Sequence, residues 1–318
     1  MTRSLPSRAR ARNRIRTVLS VLVIALIFFF LGRNLLDGWA TVRIEAWRLD
    51  PLRVLLSLAV LAVYYPLLVW NWSLLMGELG QPVSLRTALP IWLGSQLGKF
   101  LPGKVWTVAG RVYLAERAGL DAVKVSLTLL IEVGLVVVTG VLLAAVAVAL
   151  GSDLPIPGGR FFFLLLVPGF VALHPKVFSL LVNVGLRVLR RPAVRLSWSA
   201  RRHALLVVSF LLSWVLYGGA FYLFLTSLSV TSASSTLHSW NGFLSVLCLH
   251  TLSWIVGFLA FVAPGGLGFR EASLAFFLGS FMPAAAATLA ALLARLWITV
   301  AELLAIGVAW IVGRGARR

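Results

Sequence analysis

The chain has 318 residues, 60% of them hydrophobic and 12% charged, with a mean hydropathy of +0.96. Soluble domains carry roughly 25% charged residues, so this composition excludes a soluble globule and predicts an all-α, polytopic integral membrane protein. The balance of 29 Lys+Arg against 10 Asp+Glu gives a formal charge of +19, and Cys248 is the only cysteine, so neither an intrachain disulfide nor a thiolate metal cluster is expected.

On a soluble chain such a positive charge would suggest nucleic acid. Here the basic residues cluster beside apolar runs, as the positive-inside rule expects, so no nucleic-acid partner is predicted. The four histidines are scattered without ligand spacing, and no metal or cofactor site is expected.

In chain order, residues 1–16 hold six arginines and no acid, and form a cytoplasmic basic N-terminus. The apolar run 17–36 lacks a following small-residue cleavage site and reads as an uncleaved first crossing. Loop 37–50, with two basic and three acidic residues, suits the outside, and helix 51–76 returns through a kink candidate at Tyr64-Tyr65-Pro66. Residues 87–101 are apolar but short and stop at Pro102-Gly103. The stretch after them carries Lys104, Arg111, Arg117 and Lys124 against Glu116 and Asp121 and should face the cytoplasm, which makes 87–101 re-entrant.

Helix 125–150 crosses outward and 160–173 comes back. The basic segment 174–203 has seven Lys/Arg and no acid, with Val177, Phe178, Leu181, Val184, Val188 and Leu189 close to one face, the pattern of an interfacial amphipathic helix. Crossings at 204–227, 240–262, 268–281 and 284–312 follow, and the tail 314–318 is cytoplasmic. The expectation is about eight transmembrane helices plus broken or re-entrant segments in one domain, 17–313. It would lie in the cell's inner (plasma) membrane with both termini inside.

Two stretches share a design: "FLPGKVWTVAGR" (100–111) and "VAPGGLGFRE" (262–271). In each, an apolar segment halts at Pro-Gly, a helix restarts, and an arginine follows within two turns. A restarting helix offers free N–H groups and the positive end of its dipole. With Lys99, Lys104 and Arg111 at the first break and Arg270 at the second, these are candidate sites for an anion such as phosphate. The alternative is that each Pro-Gly only ends a helix at the interface while its lysines snorkel to water.

The same residues resemble the two signature regions of the lysylphosphatidylglycerol synthase transmembrane-region family. Pro102-Gly103 and Arg111 match the first, and Pro264-Gly265-Gly266-Leu267-Gly268 with Arg270-Glu271 match the second. Arg295 stands where the family usually has an arginine in its last helix. The resemblance covers about residues 50–312 and implies a flippase-type membrane region that moves or presents a lipid with an anionic headgroup. There are departures. Gly98-Lys99 replaces the asparagines common before the first break, Lys104-Val105-Trp106 replaces Gly-Gly after it, and Glu132-Val133 lacks the arginine of a common Glu-Arg pair. The sequence ends "GRGARR" after its last predicted helix, so the soluble lysyl-transfer domain of full-length relatives, and its synthase activity, are not expected.

Charges at bilayer depth cost roughly 2.5–3.5 kcal/mol on insertion scales and need a partner or a purpose. Glu132, Arg295 and Glu302 are such residues, with a predicted Arg295–Glu132 pair on the pathway. Asn71, His250 and Ser253 are expected to hydrogen-bond between helices, and Trp106 to anchor at the interface or stack on a headgroup. The leading reading is a protein that binds and flips an anionic-headgroup lipid, phospholipid or polyprenyl-phosphate-linked. The alternatives are a membrane-embedded lipid-modifying transferase, or a non-transporting partner of a glycosyltransferase or lipid-synthesis enzyme. No catalytic residue is assigned, because no two acids are adjacent or at Asp-x-Asp spacing.

Overall fold

A computed structural model describes residues 22, 25–33, 36, 48–100, 105–152, 159–188, 199–229, 237–260 and 263–315. The chain is α-helical. Its helices are α1 (Pro51–Glu78), α2 (Leu85–Gln96), α3 (Val105–Glu116), α4 (Ala122–Ala149) and α5 (Leu166–Leu173), then α6 (Pro175–Val188), α7 (Ala200–Ser227), α8 (Trp240–Leu259), α9 (Phe269–Leu278) and α10 (Ala284–Gly315). Residues 25–33 are also helical. A two-residue antiparallel bridge, β1 (Arg48–Leu49) with β2 (Leu228–Ser229), ties the start of α1 to the end of α7.

Side-chain caps fix where the long helices begin. Asp50 accepts from Leu52 N–H and Arg53 N–H before α1, and Asp121 accepts from Val123 N–H and Lys124 N–H before α4. Ser199 and Ser239 do the same for α7 and α8.

Among the described residues, five helices are long and apolar enough to cross a membrane: α1, α4, α7, α8 and α10. A sixth crossing arises if Gly159–Leu173 and Pro175–Val188, bent by 85° at their junction, form one span. The predicted count of about eight crossings therefore changes at 268–281, which is not among these spans. α9 has ten residues, about 15 Å of helix, half of the roughly 30 Å hydrocarbon core, so it cannot cross alone. The first predicted crossing, 17–36, is described at residues 22, 25–33 and 36, which are helical.

α6 buries Phe178, Val182 and Leu186, one turn apart, and leaves Leu181, Val184 and Val188 exposed. The apolar face predicted for this segment is therefore mostly its outward one, and the protein-facing stripe lies beside it.

Contacts at the helix ends give the bundle two distinct poles. Arg202 at the start of α7 pairs with Glu78 at the end of α1 at 3.2 Å, and Asp121 N–H, before α4, reaches Gln81. This is the basic pole. The opposite pole holds the β1–β2 bridge, and there Gly151, after α4, packs against Asn241 at the start of α8.

Two helical hairpins enter from these opposite poles. α2 and α3, twelve residues each, pack on one another and have both outer ends at the basic pole. α8 starts at the other pole, and α9 packs back against it after the break at 260–268. Glycine makes both tips possible. An added Cβ at Gly98 would lie 2.5 Å from Thr107 N, and one at Gly266, where φ is +71°, would lie 2.6 Å from Gly257 O. Both clashes are with backbone, which cannot swing aside. Gly98→Ala and Gly266→Ala should each lower thermal stability in detergent. Gly219→Ala, in open space within α7, should be neutral or slightly stabilising, as alanine favours a helix by about 1 kcal/mol.

Candidate functional site

The tips of the two hairpins meet. The 3₁₀ turn Leu97–Phe100, which ends α2, touches the 3₁₀ turn Pro264–Gly266. A Cβ on Gly265 would lie 3.3 Å from the Lys99 carbonyl oxygen and 3.7 Å from the Arg295 guanidinium. Beside this contact is a cavity of ≈ 350 Å³ inside the bundle. Lys99, Arg111, Glu132, Arg270, Arg295 and Glu302 all line it, as do Gly265 and Gly266.

The charges are arranged as pairs. Arg111, on α3, reaches across to Glu132 on α4 at 2.5 Å. Its Nε also donates to Ser95, and its guanidinium lies 5.0 Å from the Trp92 ring centre, while Trp92 Nε1 donates to the other Glu132 oxygen. Lys99 pairs with Glu302 of α10. Arg295, also on α10, pairs with Glu271 at 3.4 Å.

Arg270 is the exception. Its guanidinium donates to the Tyr217 hydroxyl at 2.6 Å, and Tyr217 stacks on Tyr64 at 4.9 Å. Among the described residues no carboxylate comes within ion-pairing distance of it. A buried cation is unfavourable in a low-dielectric interior unless it is paired and hydrogen-bonded, and among the described residues the Tyr217 hydroxyl is the hydrogen-bond partner found for Arg270.

The structure changes several assignments. The predicted Arg295–Glu132 pair does not form. Each is taken by the hairpin nearest to it, Glu132 by Arg111 of the first and Arg295 by Glu271 of the second. Glu271 does not line the cavity but is buried, accepting from Gly268 N–H at 2.7 Å. It thereby puts a carboxylate at the first turn of α9 and offsets the helix-end charge predicted to face an anion there. Pro264 stands in the second tip, whereas Pro102, Gly103 and Lys104 lie outside the described residues.

Of the predicted interhelical hydrogen-bonders, Asn71 does link α1 to Ser213 and Ser209 of α7. Ser253 instead bonds within α8 to the Leu249 carbonyl, and the buried His250 ring packs between Phe221 and Tyr217 with no hydrogen-bond partner among the described residues. Trp106 is exposed beside the first break.

Sequence reasoning missed the aromatic half of the site. Tyr64, Tyr217, Trp92 and Trp254 line the cavity with Gln96. The available signal was a phenol or amide inside an otherwise apolar helix, which needs a buried partner.

These features define a multi-pass α-helical membrane protein whose two broken segments enclose a charged cavity within the membrane-spanning bundle. The chain belongs to the lysylphosphatidylglycerol synthase transmembrane-region family, whose sequence model matches residues 17–307. None of the curated proteins matches it.

Proposed function

We propose that the chain binds the anionic headgroup of a membrane lipid, phospholipid or polyprenyl-phosphate-linked, and carries it across the bilayer. The observation that supports this most is Arg270, a cavity cation held by a phenol while Lys99, Arg111 and Arg295 each have a carboxylate. A phosphodiester would supply the missing charge and accept from the guanidinium fork. The cavity's tyrosines and tryptophans suit the glycerol or sugar carbons next to the phosphate.

The opposed hairpins suggest how such a site serves two leaflets. Each is rooted at one pole, and the Lys99–Glu302 pair joins the first tip to α10. Parting the first tip would open the cavity toward the basic pole, and parting the second would open it toward the other. Under the charge distribution read from the sequence, the basic pole and both termini are cytoplasmic in an inner membrane. The basic 174–203 segment would remain available there to a lipid-synthesis or glycosyltransferase enzyme.

Reconstitution tests the reading. Phosphatidylcholine vesicles with a trace of headgroup-labelled phosphatidylglycerol or phosphatidylcholine are exposed to a membrane-impermeant quencher. The protein should speed the crossing of the anionic probe and leave the zwitterionic one at the protein-free rate. Equal rates for both probes, or no acceleration of either, would overturn it.

A further inference from the structure

We infer that a second, apolar groove beside the charged cavity holds a hydrocarbon chain of the lipid whose headgroup sits near Arg270; this rests on the headgroup reading above. The groove, ≈ 200 Å³, lies between α1, α2 and α10. Tyr65 is the one side chain lining it that has a polar atom, and Tyr65 also lines the charged cavity. The two spaces are therefore neighbours across a single side chain.

α10 serves both. Ile298 and Glu302 face the charged cavity, while Ala301 and Ala305, on the adjoining face, line the groove. The alanines are what leave it open, since a larger side chain at 305 would fill it. Leu93 of α2 forms the inner wall, and the rim residues Ala62, Pro66, Leu304 and Val308 are exposed on the outside of the bundle, where lipid lies.

The physical argument is continuity. An anionic headgroup drawn to Arg270 carries apolar chains that cannot follow it among the four cations and two carboxylates that line the cavity. They need apolar surroundings within reach of the phosphate, and the groove is the apolar space adjoining the cavity and opening sideways. A methylene chain lying in it makes dispersion contacts with the apolar side chains that line it. Tyr65 would then stand at the junction of head and tail.

The test compares dihexanoyl- with dipalmitoyl-phosphatidylglycerol binding to the purified full chain in detergent, by native mass spectrometry titration. The wild type should prefer the long-chain lipid by tenfold or more. Ala305→Trp should erase that preference and leave the dihexanoyl affinity unchanged. Ala305→Leu, a smaller fill, should reduce the preference if the tryptophan variant does not fold. An unchanged chain-length preference in a folded variant overturns the groove assignment. So does a photo-crosslinker at position 305 that captures a second copy of the chain instead of lipid. Arg270→Ala separates the two readings: it should weaken both lipids equally. If it weakens neither, the headgroup assignment falls, while the Ala305 variants still judge the groove.

Discussion

Arg270→Ala should abolish selective movement of the anionic lipid while leaving the protein folded. Removing one member of a buried, hydrogen-bonded charge pair costs about 2–5 kcal/mol of binding, which is well over a tenfold loss. The fold is spared because no carboxylate depends on Arg270 among the described residues, and only the Tyr217 hydroxyl loses a donor. Arg270→Lys should fall between, keeping the charge but not the planar fork. The readout is anionic-probe movement in vesicles beside thermal unfolding in detergent. A variant that unfolds like wild type yet still moves the lipid would contradict the assignment.

Glu132→Gln should do the reverse, with stability taking the larger loss. The Arg111 side chain is 3% exposed and that of Glu132 13%, and together with Ser95 and Trp92 they clamp α2, α3 and α4. Neutralising the carboxylate leaves a buried guanidinium without its partner, at a cost of about 3–5 kcal/mol. Arg111→Met in the same chain should recover part of that loss, since two neutral side chains leave no orphan charge. Unfolding in detergent measures both. If Glu132→Gln unfolds like wild type, the pair does not hold the first hairpin.

The fold was largely legible where hydropathy dominates. α1, α7 and α10 contain the runs 51–76, 204–227 and 284–312, and α4 contains all of 125–150 but its last residue. Hydropathy alone starts α4 and α7 late, at 125 and 204, because Lys124, Arg201 and Arg202 dilute the apolar signal. The caps at Asp121 and Ser199, which are visible in sequence, mark the true starts. Hydropathy reads α9 as a span because its apolar residues continue past the break, while its length is set by the turn that follows Leu278.

For the candidate site, Lys99, Arg111, Arg270 and the turn at Gly265-Gly266 are readable in the sequence, because such residues have no place in a uniform apolar helix, while Pro102, Gly103 and Lys104 lie outside the described residues. What could not be read was partnership. Arg295, Glu132 and Glu302 were recognised as buried charges, but which cation meets which carboxylate depends on how the hairpins dock, and nothing local to 132 or 295 encodes that. Arg270 is a candidate anion-binding cation in the sequence alone, but its pairing with a phenol while Lys99, Arg111 and Arg295 each meet an acid depends on that docking.

The most direct test uses phosphatidylglycerol carrying a photoreactive headgroup, cross-linked to the reconstituted protein and mapped by peptide mass spectrometry. Adducts should fall on both hairpins, around residues 95–111 and 265–271. Excess unlabelled phosphatidylglycerol should suppress them, and phosphatidylcholine should not. Adducts confined to the outer helix faces, or indifferent to the competitor's charge, would contradict a shared anion site between the two tips.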